Sequence, residues 1–257
     1  MLSRLRRAEL LRLFLLLIKN ERTNRYEMAN EQFIIIRSGL TPVHSFDLWG
    51  VIVDAYKLSN RKIVLYRQLA REKRFNPEEA SKAIHDYEGL RDGKDWATGA
   101  RKIDIIDALE NPLEAFDINP YSSDVFTEDG LHVLEQIFES NEGAVIFTSK
   151  PARWLKNYLP EGISSKLGKI YAAGKTNPAG FVNVFEEEMK SGRQVVSHTA
   201  DEMPELAAAK ESGIFQPGAL TYVARNLSKT REEVLASGVD RFVTDLREVG
   251  YHRMVRR

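Results

Sequence analysis

The sequence has no cysteine among its 257 residues, which excludes disulfide bridges, thiolate zinc sites and a cysteine nucleophile. A chain without thiols is compatible with a reducing cytoplasm, the expected location. An excess of either charge is also missing, since Lys+Arg and Asp+Glu number 37 each. No global basic field draws the chain to nucleic acid, and no nucleic-acid partner is expected. Long apolar runs are absent from the first thirty residues. Their longest uncharged stretch, Leu13 to Ile18, falls far short of the about 20 apolar residues a membrane span needs, so no transmembrane segment is expected. No convincing small-residue cleavage site marks a signal peptide there. A last scarcity is local. In "HSFDLWGVIVD", residues 44 to 54, an apolar run delivers one acid, Asp47, into a Gly turn. A tryptophan, Trp49, stands two places on, where a second carboxylate would make a catalytic pair.

A hydrophobic content of 43% is enough for a buried core, either one large domain or a core with a smaller insert. Residues 1–30 run from basic to apolar to polar, which fits a basic amphipathic helix, peripheral or docking on a partner. If the natural start is Met28, the leader has no part in the fold. "PVHSFDLW" then reads as a short strand ending at a Gly turn, and helical patterns follow. "RKIVLYRQLAREKR" puts Ile63, Leu65, Tyr66 and Leu69 on one face, and "NPEEASKAIHDYEGL" opens on an Asn-Pro helix start. "ARKIDIIDALENPLEAF" is a third helix. From "TEDGLHVLEQIFES" and "GAVIFTS" onward, helices and short strands alternate through "GKIYAAG", "PAGFVNVFEEEMKSG", "RQVVSHTA", "MPELAAAKESG" and "GALTYVAR". This rhythm predicts an α/β fold, a Rossmann-like parallel sheet with helices on both faces and an inserted, mainly helical cap. The expected division is a leader at 1–30, a core at 31–57 and 126–257, and the cap at 58–125.

Sheets of this kind bind ligands beyond the carboxyl ends of their strands. The residues at those ends are Asp47 with Trp49, Thr148 with Ser149, Lys175, and Asp201 with Glu205. Carboxylates, a hydroxyl and an ammonium on one rim suit an anionic substrate held with a divalent cation. Histidines offer less. His198, in "VVSHTAD", is read as a strand histidine satisfied by backbone, His44 as structural, and His85 and His132 lack the paired spacing of a zinc site.

Across roughly residues 42 to 250 these segments resemble the haloacid dehalogenase (HAD) superfamily. "FDLWGVIVD" resembles its motif I, "AVIFTSKP" motif II, "GKTNP" motif III and "TADEMPELAAAKESG" motif IV. The resemblance implies a hydrolase whose nucleophile is Asp47. It implies Mg²⁺ held by Asp47, Asp201 and the backbone carbonyl of Trp49, with Glu205 helping directly or through water. Thr148 would hydrogen-bond the transferring group, Lys175 would offset the charge around the nucleophile, and Trp49 and Ser149 would face the substrate. The implied partner is a small phosphorylated metabolite.

Ala200 and Glu205 depart mildly from motif IV, and Trp49 departs strongly from motif I. The superfamily's phosphatases carry there an Asp that protonates the leaving oxygen, and an indole N–H has no accessible proton chemistry near pH 7. Losing such a group forfeits about 10²–10⁴ in rate. Three readings follow. The first is an Mg²⁺-dependent phosphatase that takes its acid/base from elsewhere. The second is a metal-free haloacid-dehalogenase-like hydrolase, with Arg61, Arg67, Arg71 or Arg74 as a halide or carboxylate cradle. The third is a HAD-like binding or regulatory protein with a degenerate site.

Overall fold

The structure is a computed structural model, and it describes residues 34–92, 100–148, 159–172, 174–225, 229–251 and 255–256. The leader at 1–30 and Ser149 lie outside the described residues. In chain order the elements are β1 (Ile34–Ile35), β2 (Thr41–Asp47), α1 (Ala55–Lys73), α2 (Pro77–Arg91) and α3 (Ala100–Ala115). After a 3-10 turn at Ser123–Val125 come α4 (Glu128–Glu139), β3 (Gly143–Thr148), the single turn α5 (Glu161–Ser164), β4 (Ile170–Ala172) and α6 (Pro178–Lys190). The chain continues through β5 (Arg193–Ala200), α7 (Met203–Glu211), β6 (Leu220–Val223), α8 (Arg231–Ala236), β7 (Arg241–Val243), a 3-10 turn at Leu246–Val249 and β8 (Val255–Arg256).

Six of the strands form one parallel sheet in the order β4-β3-β2-β5-β6-β7. The twofold period of a strand sorts their side chains onto two faces. Phe46, Ile146, Val196 and Val223 join one apolar cluster, which Val133, Leu134 and Ile137 of α4 and Leu246 and Val249 of the last 3-10 turn cover. Val43, Val145, Phe147, Val195, Leu220 and Tyr222 join the other, under Phe181 and Val184 of α6, Leu206 of α7 and Val234 of α8. Both faces are therefore buried, as a parallel sheet requires, and the fold is the α/β class expected from the strand-helix rhythm.

Between β2 and β3 the chain makes α1, α2 and α3, which share an apolar cluster of Ile63, Tyr66, Leu69, Ile84, Tyr87, Leu109 and Leu113. The first of these helices starts three residues before the helical stretch expected from 58. Its cap explains this: the Asp54 carboxylate accepts from Tyr56 N and Lys57 N, satisfying two first-turn amides before the apolar period begins. Asn76 caps α2 in the same way ahead of Pro77. Near the start of the described residues, β1 pairs with β8 in a separate parallel ribbon. The amide of Gln216 holds that ribbon, accepting from Ile35 N at 3.0 Å and donating to Ile35 O at 2.8 Å. Among the described residues no helix is long and apolar enough to cross a membrane.

Candidate active site

The central strand β2 lies between β3 and β5, so the rim at its carboxyl end receives residues from both sides. Asp47 is its last residue, aligned with Phe147, and Thr148 ends β3 one place further on. Both side chains are buried. Lys175 follows β4 and Asp201 follows β5, while Glu205 stands in the first turn of α7 with no exposed surface.

The ammonium of Lys175 draws these groups together. It donates to Asp47 Oδ2 at 2.6 Å and forms an ion pair with Glu205 Oε2 at 3.0 Å, with Glu202 at 4.0 Å. The other Asp47 oxygen, Oδ1, accepts from Leu48 N at 2.7 Å. The second oxygen of Glu205, Oε1, lies 3.0 Å from His198 Nε2, and His198 Nδ1 is 2.9 Å from Ser45 Oγ. Fully buried His198 is thus fixed by two side chains rather than by backbone. A one-residue shift makes this possible: Val43 pairs with Val195 but His44 with Ser197, so β5 carries one extra residue and a local kink. His44 is structural as expected, between Ser197 Oγ at 2.7 Å and Glu142 Oε2 at 2.9 Å.

Trp49 belongs to the turn that leaves β2. Gly50 N donates to Val53 O, and Val53 N donates to Leu48 O. Arg225, just past β6, closes the turn from outside: its Nε donates to Gly50 O at 3.0 Å, and its Nη2 to Val51 O at 3.1 Å and to Asp129 Oδ1 at 2.8 Å. Gly50 has φ +73, and a Cβ there would fall 1.8 Å from Asp201 Oδ2. Only glycine lets the turn and the Asp201 carboxylate approach this closely. On its ring side Trp49 meets Lys62 of α1, whose Nζ is 3.9 Å from the indole centroid.

The electrostatics are those of too many acids for one base. Burial, then the charge of Glu205, pushes the Asp47 carboxyl up to about 7 although Lys175 pulls it down. Burial and the neighbouring Asp47 push Asp201 up to about 8. Glu205 rises to about 7, again mainly through burial and against the pull of Lys175. Burial opposes the charge on Lys175, but Asp47 and Glu205 outweigh it and hold the ammonium above its ordinary range. Burial takes His198 down to about 3, which keeps the imidazole neutral near pH 7.

This donor chemistry fits a hard divalent cation. The carboxylates of Asp47 and Asp201 stand against the turn that carries the Trp49 carbonyl, and their raised pKa values are the penalty a cation would relieve. Among the described residues no three His, Asp or Glu side chains make a metal-holding cluster, and two carboxylates with a backbone oxygen leave the remaining positions to substrate and water. Asp47, Thr148, Lys175, Asp201 and Glu205 therefore gather at one end of the sheet, with Trp49 beside them. Sequence reading missed Gly50, Arg225, Lys62 and the role of His198. For Lys62 a signal existed, because it shares the apolar face of α1 with Tyr66 and Leu69 at helical spacing.

No protein-family model and no curated protein matches the chain. Solved structures do. A HAD phosphatase from Thermococcus onnurineus superposes with a TM-score of 0.52 at 18% identity, over 81% of this chain and 95% of that one. The chain has the HAD fold. A protein from Bacteroides fragilis described as a haloacid dehalogenase-like hydrolase gives 0.51 at 16% identity, over 80% of this chain and 98% of that one. YfnB from Bacillus subtilis, described as a HAD-hydrolase and solved bound to magnesium, gives 0.51 at 11% identity, over 84% and 99%. At these identities the likeness is one of fold.

Proposed function

We propose that the chain is a HAD-superfamily hydrolase, an Mg²⁺-dependent phosphatase of a small phosphorylated metabolite that works through an aspartyl-phosphate at Asp47. The observation that carries this reading is the 2.6 Å contact from Lys175 to Asp47 Oδ2, with Glu205 pairing with the same ammonium at 3.0 Å. The contact holds a buried carboxylate at a strand end, one oxygen on Lys175 and the other on Leu48 N, where an incoming phosphorus meets it in a fixed orientation. The likeness covers 95% or more of each of the three hydrolases above.

In the first step a carboxylate oxygen of Asp47 forms a bond to phosphorus, and the bond from phosphorus to the leaving oxygen breaks, its electron pair departing with that oxygen. In the second step water attacks the same phosphorus, Asp47 leaves as carboxylate, and inorganic phosphate is released. Lys175 offsets negative charge around the nucleophile in both steps, and Thr148 hydrogen-bonds the transferring group. Asp47, Asp201 and the Trp49 carbonyl would hold Mg²⁺, which when bound would neutralise charge on the phosphoryl oxygens. We take α1–α3 as the cap that closes over the substrate. The metal-free dehalogenase-like reading is weaker, because Arg67, Arg71 and Arg74 point to solvent and only Arg61 stays partly buried as a cradle.

Hydrolysis of acetyl phosphate and of a simple alkyl phosphate, each with Mg²⁺ and with EDTA, tests the proposal against an Asp47→Asn blank. Mg²⁺-dependent turnover of acetyl phosphate that the blank lacks is the expected result. Turnover of a halogenated acid in EDTA would instead favour the dehalogenase-like reading. Failure of beryllofluoride to form an adduct at Asp47 would favour a degenerate binding protein.

A further inference from the structure

The helices α1 and α3 carry an ion pair inside the apolar cluster they share. Lys62 and Glu110 are 1% and 2% exposed, and Nζ lies 2.5 Å from Oε1. Around them the shared cluster consists of Ile63, Tyr66, Leu69, Leu109, Leu113 and their neighbours. A buried pair of this kind is poor value as a stabiliser, since apolar side chains of similar volume hold such an interface equally well or better. Its geometry offers a different use. The same ammonium that meets Glu110 sits 3.9 Å from the centroid of the Trp49 ring, and Trp49 belongs to the nucleophile's turn rather than to the helical segment.

We propose that Lys62 and Glu110 are positioning residues for Trp49, through which the α1–α3 segment fixes an aromatic wall beside the nucleophile and so sets which leaving groups the site accepts. The backbone of Trp49 is held from the sheet side, through the turn bonds of Gly50 and Val53 and the Arg225 clamp. Its ring is held from the helical side. Glu110 accepts from the ammonium and aims it; the ammonium attracts the negative face of the indole in a setting from which water is excluded, where such an attraction is strongest. A ring fixed in this way is a flat apolar surface two residues from Asp47, without a titrating group. It favours a leaving group that departs as a stable anion and lies flat, such as the carboxylate of an acyl phosphate, over an alkoxide that needs a proton. This selectivity rests on the phosphatase reading, whereas the positioning of the ring does not.

The test therefore has two readouts. In a W96F/W154F background Trp49 is the one tryptophan left of three, and its emission and acrylamide quenching report the ring's surroundings directly. Lys62→Met leaves Glu110 buried without its cation, so the paired Lys62→Met/Glu110→Leu variant, which removes both charges, guards against a simple folding failure. With far-UV circular dichroism unchanged, the paired variant is expected to raise the quenching constant about threefold and shift emission to longer wavelength, while Lys62→Arg stays near the parent. On acetyl phosphate the paired variant is expected to raise KM about fivefold with little change in kcat, the split that marks lost ground-state positioning. Unchanged quenching and emission in the folded paired variant would overturn the inference. If the parent cleaves no acetyl phosphate, the phosphatase reading fails and the fluorescence still decides the positioning of Trp49.

Discussion

Lys175 carries one positive charge for which Asp47, Glu205 and Glu202 compete, all within 4.0 Å. Its removal leaves Asp47 and Glu205 facing each other across a buried space. Lys175→Ala should therefore lower kcat on acetyl phosphate by about 10²–10³, the loss typical of a preorganised electrostatic group. Gly50 gives a second prediction of different character. Gly50→Ala must adopt φ +73 and push its methyl toward a carboxylate 1.8 Å away. The left-handed conformation alone costs about 1–2 kcal/mol, and the displaced Asp201 should weaken Mg²⁺ binding, read by calorimetry on the folded variant. The placing of Asp47, Thr148, Lys175, Asp201 and Glu205 at one rim was legible in the sequence because each ends a strand or follows one within five residues, a place that periodicity locates. Gly50 and Arg225 were not, because what singles them out is contact across 150 residues or more with groups of unrelated sequence position. His198 was read as satisfied by backbone because the one-residue shift in β5 that turns its ring toward Glu205 and Ser45 has no signature in a pattern of apolar residues.

At the level of elements, the turn after β2 is a junction rather than a loose connection. Arg225 from the β6 side bonds two of its carbonyls, and Thr127 Oγ1 donates to Val51 O at 2.9 Å from the α4 side. Gly130 lets α4 approach, since a Cβ there would lie 3.2 Å from Ile52 Cα. Asp129 ties both sides together by accepting from Arg225 and from Leu246 N at 2.8 Å. Arg225→Met should cost about 2–3 kcal/mol, given that hydrogen bonds to charged groups contribute about 1.5–3 kcal/mol, and urea unfolding measures it. Acetyl phosphate turnover should fall with it, because the turn that carries the Trp49 carbonyl loses its outer support. Helices and strands were placed by the sequence to within a few residues wherever caps and periods agree, as with Asn76 and Pro77 of α2. The start of α1 was placed late because its first turn, Ala55 to Lys57, carries no apolar face and is held by the Asp54 cap alone.

For the whole molecule, the crowded acids make stability depend on pH in a direction opposite to the usual one. Asp47, Asp201 and Glu205 titrate at about 7, about 8 and about 7 in the folded chain, well above the about 4 of an unfolded chain. The folded state therefore binds more protons than the unfolded one between about pH 4 and about pH 8, and stability falls as pH rises through that window. His198 acts the other way below about 6.5, because burial holds it neutral down to about 3 while the unfolded chain takes up a proton. Above pH 6.5 the acids outweigh it. Unfolding in EDTA should show a stability lower at pH 8.5 than at pH 6.5 by an amount on the order of 3 kcal/mol, read as a lower Tm. Saturating Mg²⁺ should restore the loss at pH 8.5, since a bound cation stabilises the folded state by mass action.

The sheet order also sets a timetable for the chain as it is made. The strand that ends in Asp47 pairs at Thr41 with Arg193, a residue added about 8–30 s later at 5–20 residues per second. Until then one whole edge of β2, rich in buried side chains in the finished fold, hangs open to any other extended segment nearby. The helices α1 to α3, whose contacts are close in sequence, are complete long before that edge is covered. The strand that ends in Asp47 is made before the other strands of its sheet and waits for β5 to be enclosed, and errors of assembly during synthesis should concentrate there.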